Sequence, residues 1–229
     1  MSFWVPERRP APELLDADVP ATEARASLAD IEWVHNRLGG RVLVRQRLLP
    51  LLQELSHGGS SLTLLDTGCG SGHVARDVAA AAAGRGLAVH VLGLDRKLAH
   101  ARLAGRGTTI AADALRLPVR SRSVDVVLST LFLHHFTPAE VSALLSESLR
   151  VARQAVVAFD LARHRLPLAL VSVLGPLVFR SRLSVEDGKT SVRQAYTQRE
   201  ITALAAAVLP GARVARVGAF VWELAWRRP

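Results

Sequence analysis

Leu62-Thr63-Leu64-Leu65-Asp66-Thr67-Gly68-Cys69-Gly70-Ser71-Gly72 decides how this chain folds. An apolar run long enough for one buried strand feeds into alternating glycines at 68, 70 and 72, and a helical stretch, His73 to Ala83, follows without a breaker. Strand, glycine turn and helix in that order bring backbone close to a ligand where any side chain would clash, and they aim the helix N-terminus at it. The loop is therefore expected to hold a nucleotide-like cofactor. A dinucleotide fingerprint places its third glycine three positions after the second. Here the glycines alternate, Asp66 ends the strand, and a second apolar run, Val89 to Leu94, leads to Asp95.

Outward from the loop, the short runs Thr109 to Ala111, Val124 to Ser129 and Ala155 to Phe159 alternate with helical stretches, as in a parallel sheet covered on both faces. The chain ends differently. Ala212 to Val217 and Phe220 to Trp226 are strand-like and divided only by Gly218-Ala219, which predicts an antiparallel hairpin at the sheet edge. The expected fold is α/β: a Rossmann-like, seven-stranded, mostly parallel sheet with a C-terminal antiparallel hairpin, helices on both faces and an N-terminal helical extension.

Upstream, apolar residues from Ala21 to Leu55 recur at helical spacing with a break at Gly39-Gly40, so two helices precede the turn His57-Gly58-Gly59-Ser60 and the first strand. Pro6 to Pro20 is rich in proline and acid and reads as a loosely ordered arm. Downstream, Thr137-Pro138-Ala139-Glu140 and Thr197-Gln198-Arg199-Glu200 each place a capping threonine three residues before a glutamate and mark helix starts. We divide the chain into an N-terminal arm and helical lid, 1–56, and a cofactor-binding domain, 57–229, with an apolar insertion at about 163–196.

With 229 residues, 49% of them hydrophobic, the chain suits one globular domain and not disorder. Cys69 is the single cysteine and Met1 to Pro6 has no basic segment followed by an apolar one, so a cytoplasmic protein is expected. The net charge of +9 is a footprint that nucleic-acid binders carry. Lys97 and Lys189 are the only lysines, however, and apart from Arg8-Arg9 and Arg227-Arg228 the arginines are scattered among alanines and leucines, so a nucleic-acid partner is not expected.

Leu65-Asp66-Thr67-Gly68-Cys69-Gly70-Ser71-Gly72 resembles motif I of the class I S-adenosylmethionine (SAM) dependent methyltransferases, and the resemblance runs from about Leu62 to Phe159 and, with the terminal hairpin, through Trp226. It implies SAM as cofactor, converted to S-adenosylhomocysteine (SAH). The implied contacts are Asp66, Gly68, Gly70 and Gly72 in the loop, Asp95 on the ribose hydroxyls with Arg96 beside it, Asp113-Ala114 at the adenine, and Thr130 at the end of the fourth strand. Thr130-Leu131-Phe132-Leu133-His134-His135-Phe136 is similar to the post-strand segment of small-molecule members. Trp33-Val34-His35-Asn36-Arg37-Leu38-Gly39-Gly40 and Asp160-Leu161-Ala162-Arg163 further resemble methyltransferases that accompany polyketide synthases and tailor phenolic lipids or quinone-like products.

Methyl transfer from a sulfonium is an in-line displacement, so the protein aligns acceptor and methyl group and, for a hydroxyl acceptor, removes a proton. A phenol of pKa near ~10 gains from a base, and histidine has the intrinsic pKa for that task. His134 and His135 follow the carboxyl end of the fourth strand, where an acceptor should lie. His135 is the preferred base, His134 the alternative, and Asp160, ending the fifth strand, is expected to orient that histidine. Asp125 and Cys69 read as structural.

Arg165 to Arg180 is apolar but too short and too broken by Pro167, Gly175 and Pro176 to span a bilayer. It reads as a helix packed on the core or a lid over an apolar acceptor pocket, with peripheral membrane contact as a third option. Ser184 to Thr197 is polar and turn-rich and reads as a loop over the cofactor face, from which Arg193 and Tyr196 would reach the acceptor. No acid and histidine cluster shows ligand spacing, so no metal is expected.

The function expected is O-methylation of a small, lipophilic hydroxyaromatic. C-methylation of a quinone-type ring, RNA methylation and a non-catalytic SAM-binding scaffold stay open as alternatives. Against RNA, Ser129-Thr130-Leu131-Phe132 stands where base-amino methyltransferases carry Asn or Asp, then Pro-Pro and an aromatic.

Overall fold

The computed structural model describes residues 3–56, 59–97, 99–100 and 108–229; His57 and Gly58 of the expected turn lie outside them. Its strands are β1 (Leu62–Thr67), β2 (Val89–Asp95), β3 (Thr108–Ala111), β4 (Val124–Thr130), β5 (Ala152–Leu161), β6 (Arg213–Arg216) and β7 (Val221–Arg227). They form one sheet in the order β3-β2-β1-β4-β5-β7-β6. β1 to β5 are parallel, and β7 pairs antiparallel with both β5 and β6. The expected α/β architecture is the one observed. The strand order reverses between β1 and β4, and the crevice beyond their carboxyl ends is where such sheets bind ligands.

The described helices are α1 (Ala21–Arg37), α2 (Gly40–Leu55), α3 (His73–Ala83), α4 (Pro138–Val151), α5 (Arg165–Val178), α6 (Arg182–Gln194) and α7 (Gln198–Val208). Successive strand residues face opposite sides of the sheet, so each central strand feeds two cores. Val126 and Leu128 of β4 join Leu64, Val74 of α3 and Leu48 and Leu52 of α2 on one face. Val127 joins Leu65, Val141 and Leu144 of α4, Ile201 of α7 and Trp222 of β7 on the other. Leu48 and Leu52 are fully buried, and removing such side chains from water stabilises the fold by about 1.5–3 kcal/mol each. The break between α1 and α2 falls at Gly39, at φ +80°, and the two threonine capping boxes of α4 and α7 are both formed.

Two expectations are corrected. Ser184 to Gln194 is not a loop but most of α6, started by the Ser181 side chain accepting from the Leu183 N–H. Its buried stripe includes Ser184, Asp187, Ser191 and Gln194, so a helix held by polar contacts carries no apolar periodicity to read. The arm is not loose either. Asp187 accepts from the Leu14 and Leu15 N–H groups, Arg163 donates to the Pro6 carbonyl, and Arg8 donates to the carbonyls of His134, Phe136 and Gln194. These bonds dock a 3-10 turn, Leu14–Asp16, on α6.

Candidate active site

The glycine loop adopts the conformation its spacing demands. Gly68, Gly70 and Gly72 sit at φ +71°, +52° and +68°, in the left-handed region that glycine alone enters at no steric cost. A Cβ on Gly68 would come within 2.6 Å of the Phe132 ring. Phe132 gets there because Leu131 turns the chain sharply after β4, at φ +50°, while its N–H stays bonded to the Phe159 carbonyl.

Below the loop, Asp95 accepts from the N–H groups of Gly70 and Lys97, each at 2.9 Å. The loop and Asp95 thus form one wall of a cavity of about 370 Å³, which also exposes Arg96, Asp113, Ala114, Thr130 and both histidines of the His-His pair. Asp66 is an exception among the expected contacts. It is buried beneath the loop, does not line the cavity, and its Oδ1 has no hydrogen-bond partner among the described residues. Burial, and next the charge of Asp95, push its carboxyl up to about 7. Cys69 packs under the loop with its thiol pushed well above the ordinary range, first by burial and then by Asp66 and Asp95.

The two histidines have opposite surroundings. His134 is buried, its backbone N–H and Nδ1 both held by Asp160 at 2.9 and 2.7 Å, and its Nε2 3.3 Å from Glu13 of the arm. Burial alone would push its imidazole down, yet Asp160 and Glu13 outweigh it and raise the group to about 10. A carboxylate at each ring nitrogen favours the protonated form of His134. His135 stacks on it with ring centroids 4.4 Å apart, is partly exposed, and reaches Asp16 of the arm with Nδ1 at 3.1 Å. The expectation that Asp160 orients His135 is corrected: Asp160 holds the backbone N–H and Nδ1 of His134, while His135 Nδ1 meets Asp16, and both histidines line the cavity.

Glu13, His134 and His135 place ligand-type atoms within 4.8 Å of one another, a cluster that linear spacing did not reveal because Glu13 comes from the arm. Glu13 Oε1 accepts from Ser191 and Gln194 and lies 3.3 Å from His134 Nε2.

Arg193 and Tyr196 do not line the cavity. Tyr196 is buried, donates to the Phe136 carbonyl and carries Arg8 over its ring, while Arg193 is exposed beside the arm and α5. Arg193 lies on α6 and Tyr196 just past its end.

Sequence reasoning missed Glu13, Asp16, His35 and His73. The last two are joined at 3.3 Å on the wall beside the loop and are held near 4, foremost by burial. The only sequence signal for any of them was the Trp33 to Gly40 stretch, in which Gly40 leaves room for the His35 ring: a Cβ there would come within 2.8 Å of it.

Residues 65–159 match a family model described as a methyltransferase domain. Over that stretch the chain carries a methyltransferase domain. Among solved structures, the plantazolicin methyltransferase BpumL in complex with SAH is 14% identical, with a TM-score of 0.64 over 91% of this chain and 96% of that one. Magnesium protoporphyrin IX methyltransferase from Synechocystis PCC 6803 with bound SAH is 19% identical, with a TM-score of 0.57 over 94% and 91%. A SAM-dependent methyltransferase from Aquifex aeolicus is 16% identical, with a TM-score of 0.55 over 92% and 99%. At these identities the likeness is one of fold. No curated protein matches the sequence.

SAM is the cofactor of this methyltransferase family, and the cavity fits it. Three left-handed glycines open backbone to a ligand, the Asp95 carboxylate stands at the wall as an acceptor, and Asp66 leaves a buried oxygen unpaired under the loop. Among the described residues no helix is long and apolar enough to cross a membrane.

Proposed function

We propose that this methyltransferase O-methylates a small, lipophilic hydroxyaromatic acceptor, with His135 as general base and Asp16 as the residue that positions it. The observation that carries the reading is the contrast within the His-His pair: His134 holds its proton between Asp160 and Glu13, while His135 faces the cavity with Nδ1 on Asp16. An Nδ1–H donated to a carboxylate orients the ring as a base, here with Nε2 3.8 Å from Glu13 Oε2. Phe132 and Phe136, edge to face at 4.9 Å, and Leu161 give the same cavity apolar walls for an aromatic ring.

When bound, the cofactor supplies an electrophilic methyl group on sulfur. Gly68, Gly70, Asp95, Asp113 and Ala114, all on the cavity wall, would hold it. His135 Nε2 would take the phenolic proton, and Asp16 would keep the ring in the accepting tautomer. The arm forms part of the cavity wall through Glu13, Leu15 and Asp16, and Lys97 Nζ bonds the Leu15 and Ala17 carbonyls.

The test is transfer from methyl-labelled SAM to alkylresorcinols, short phenols, a quinol and total RNA in parallel. Label in an aryl ether that disappears in His135→Ala is the expected result. Label on RNA alone overturns the reading, and label on a ring carbon moves it to C-methylation. Asp16→Asn should lower kcat roughly 10- to 100-fold, within the range a positioned base supplies, with little change in acceptor KM, and Asp16→Glu should restore part of it. Unchanged kcat in Asp16→Asn removes Asp16 from the mechanism.

A further inference from the structure

α5 is the outermost helix. It packs on α6 through close approaches at Gly175 and Gly188, where an added Cβ would meet Val185 at 3.4 Å and Val171 at 3.1 Å. The opposite face is left to solvent: Leu166, Leu170, Val173, Leu174, Leu177 and Val178 are all exposed, Val173 by 69% and Leu177 by 82%. Their spacing of three and four residues puts them on one stripe along the helix. A contiguous apolar stripe of this kind on a folded chain marks a surface that something covers.

What surrounds the stripe says what covers it. Exposed Arg165 lies at one end and Arg180 and Arg182 at the other, and no acidic residue occurs between Leu161 and Val185. At the Arg165 end the chain start adds two exposed aromatics. Phe3 lies under the Arg165 guanidinium at 4.3 Å, and Trp4 stacks on His164 while its carbonyl accepts from the Arg165 N–H. An apolar face, a cationic rim and Trp and Phe at the border are the chemistry of a helix lying in a bilayer interface, and α5, with 14 residues and Pro176 inside, is too short to span one.

We propose that α5, with Phe3 and Trp4, docks this enzyme on an anionic lipid surface, the stripe sinking into the acyl boundary while Arg165, Arg180 and Arg182 meet lipid phosphates. The proposal deepens the acceptor reading above and rests on it only for what the membrane supplies: a lipophilic phenol dissolves in a bilayer, and docking holds the enzyme at the surface that contains it. Charge favours lipid over a second copy: exposed Glu7 lies beside Arg165 and Glu186 near Arg182, but the stripe itself carries no acid, so a two-fold pairing through this face would bring the arginine rims together.

Vesicle sedimentation of the full chain tests the docking without reading any methyl transfer, so it stands or falls apart from the acceptor. Vesicles of phosphatidylcholine with phosphatidylglycerol should pellet the protein about tenfold better than phosphatidylcholine alone, given what each arginine gains near an anionic surface. About 1 M salt should remove that preference. Val173→Glu/Leu177→Glu, on the solvent side of α5, should abolish pelleting while turnover of a short, soluble phenol stays at the wild-type level. Arg165→Glu/Arg180→Glu should erase the preference for the anionic vesicles. Failure to pellet with either vesicle, or pelleting unchanged in Val173→Glu/Leu177→Glu, overturns the proposal. A dimer that this pair of substitutions splits, with no vesicle binding, overturns it in favour of a second copy of the chain.

Discussion

At Gly68 the left-handed backbone and the Phe132 ring act together. An alanine there meets both a strained φ of +71° and a ring atom at 2.3 Å, and Phe132 has nowhere cheap to go because it packs against Phe136 and His135. Gly211 has the same handedness, φ +81°, with nothing within 4 Å of a Cβ. Gly211→Ala should therefore cost only the left-handed strain, about 1–2 kcal/mol, read as a lowered Tm with SAM affinity intact. Gly68→Ala should lose the strain and also at least about tenfold in SAM affinity by calorimetry, a factor that corresponds to ~1.4 kcal/mol. Equal SAM affinity in the two variants would mean that Phe132 yields and the loop does not depend on it. The same residue-scale reasoning separates the histidines, which are neighbours in sequence and both face Glu13, yet put Nδ1 on different carboxylates, Asp160 and Asp16.

The elements that sequence announced are those whose signal is local. Threonine and glutamate three apart started α4 and α7 as read, and alternating glycines after an apolar run produced the β1 to α3 loop. β1, β4 and β5 were legible because strands buried on both faces read as unbroken apolar runs. α6 and the arm escaped for one physical reason: their cohesion is polar and long-range, such as Asp187 to the Leu14 N–H across 173 positions. Asp16 could not be found as the partner of His135 from 119 positions away, whereas His135 itself announced its place by following β4. The arm's attachment is correspondingly vulnerable. Asp187→Ala leaves the Leu14 and Leu15 N–H groups without their acceptor, a loss of about 1–3 kcal/mol where such groups stay buried. It should raise hydrogen exchange over residues 13–17 and lower kcat, while the α4 amides keep wild-type protection. Unchanged exchange over the arm would show that Arg8 and Arg163 hold it alone.

Over the whole chain, stability against pH sums groups whose folded state binds protons differently from the unfolded one. His35 and His73, held near 4 against an ordinary 6.5, contribute stability that is present above pH 6.5 and lost as pH falls toward 4. Asp66, raised to about 7 from 3.8, works the other way over part of that range, its contribution being full below 3.8 and lost as pH rises through 7. The two effects oppose each other on the acid side. On the alkaline side His134 acts without such opposition: raised from 6.5 to about 10, it contributes fully below 6.5 and loses that contribution as pH rises through 10. The Tm of the cofactor-free protein should therefore fall between pH 7 and 10. Glu13→Gln removes one of the two carboxylates that outweigh the burial of His134, so its fall should begin nearer neutrality while Asp160 keeps the ring in place. A Tm flat from pH 7 to 10 in the wild type would mean that His134 is neutral in the folded chain. It would then have a lone pair to offer, and the assignment of the base to His135 would lose the contrast on which it stands.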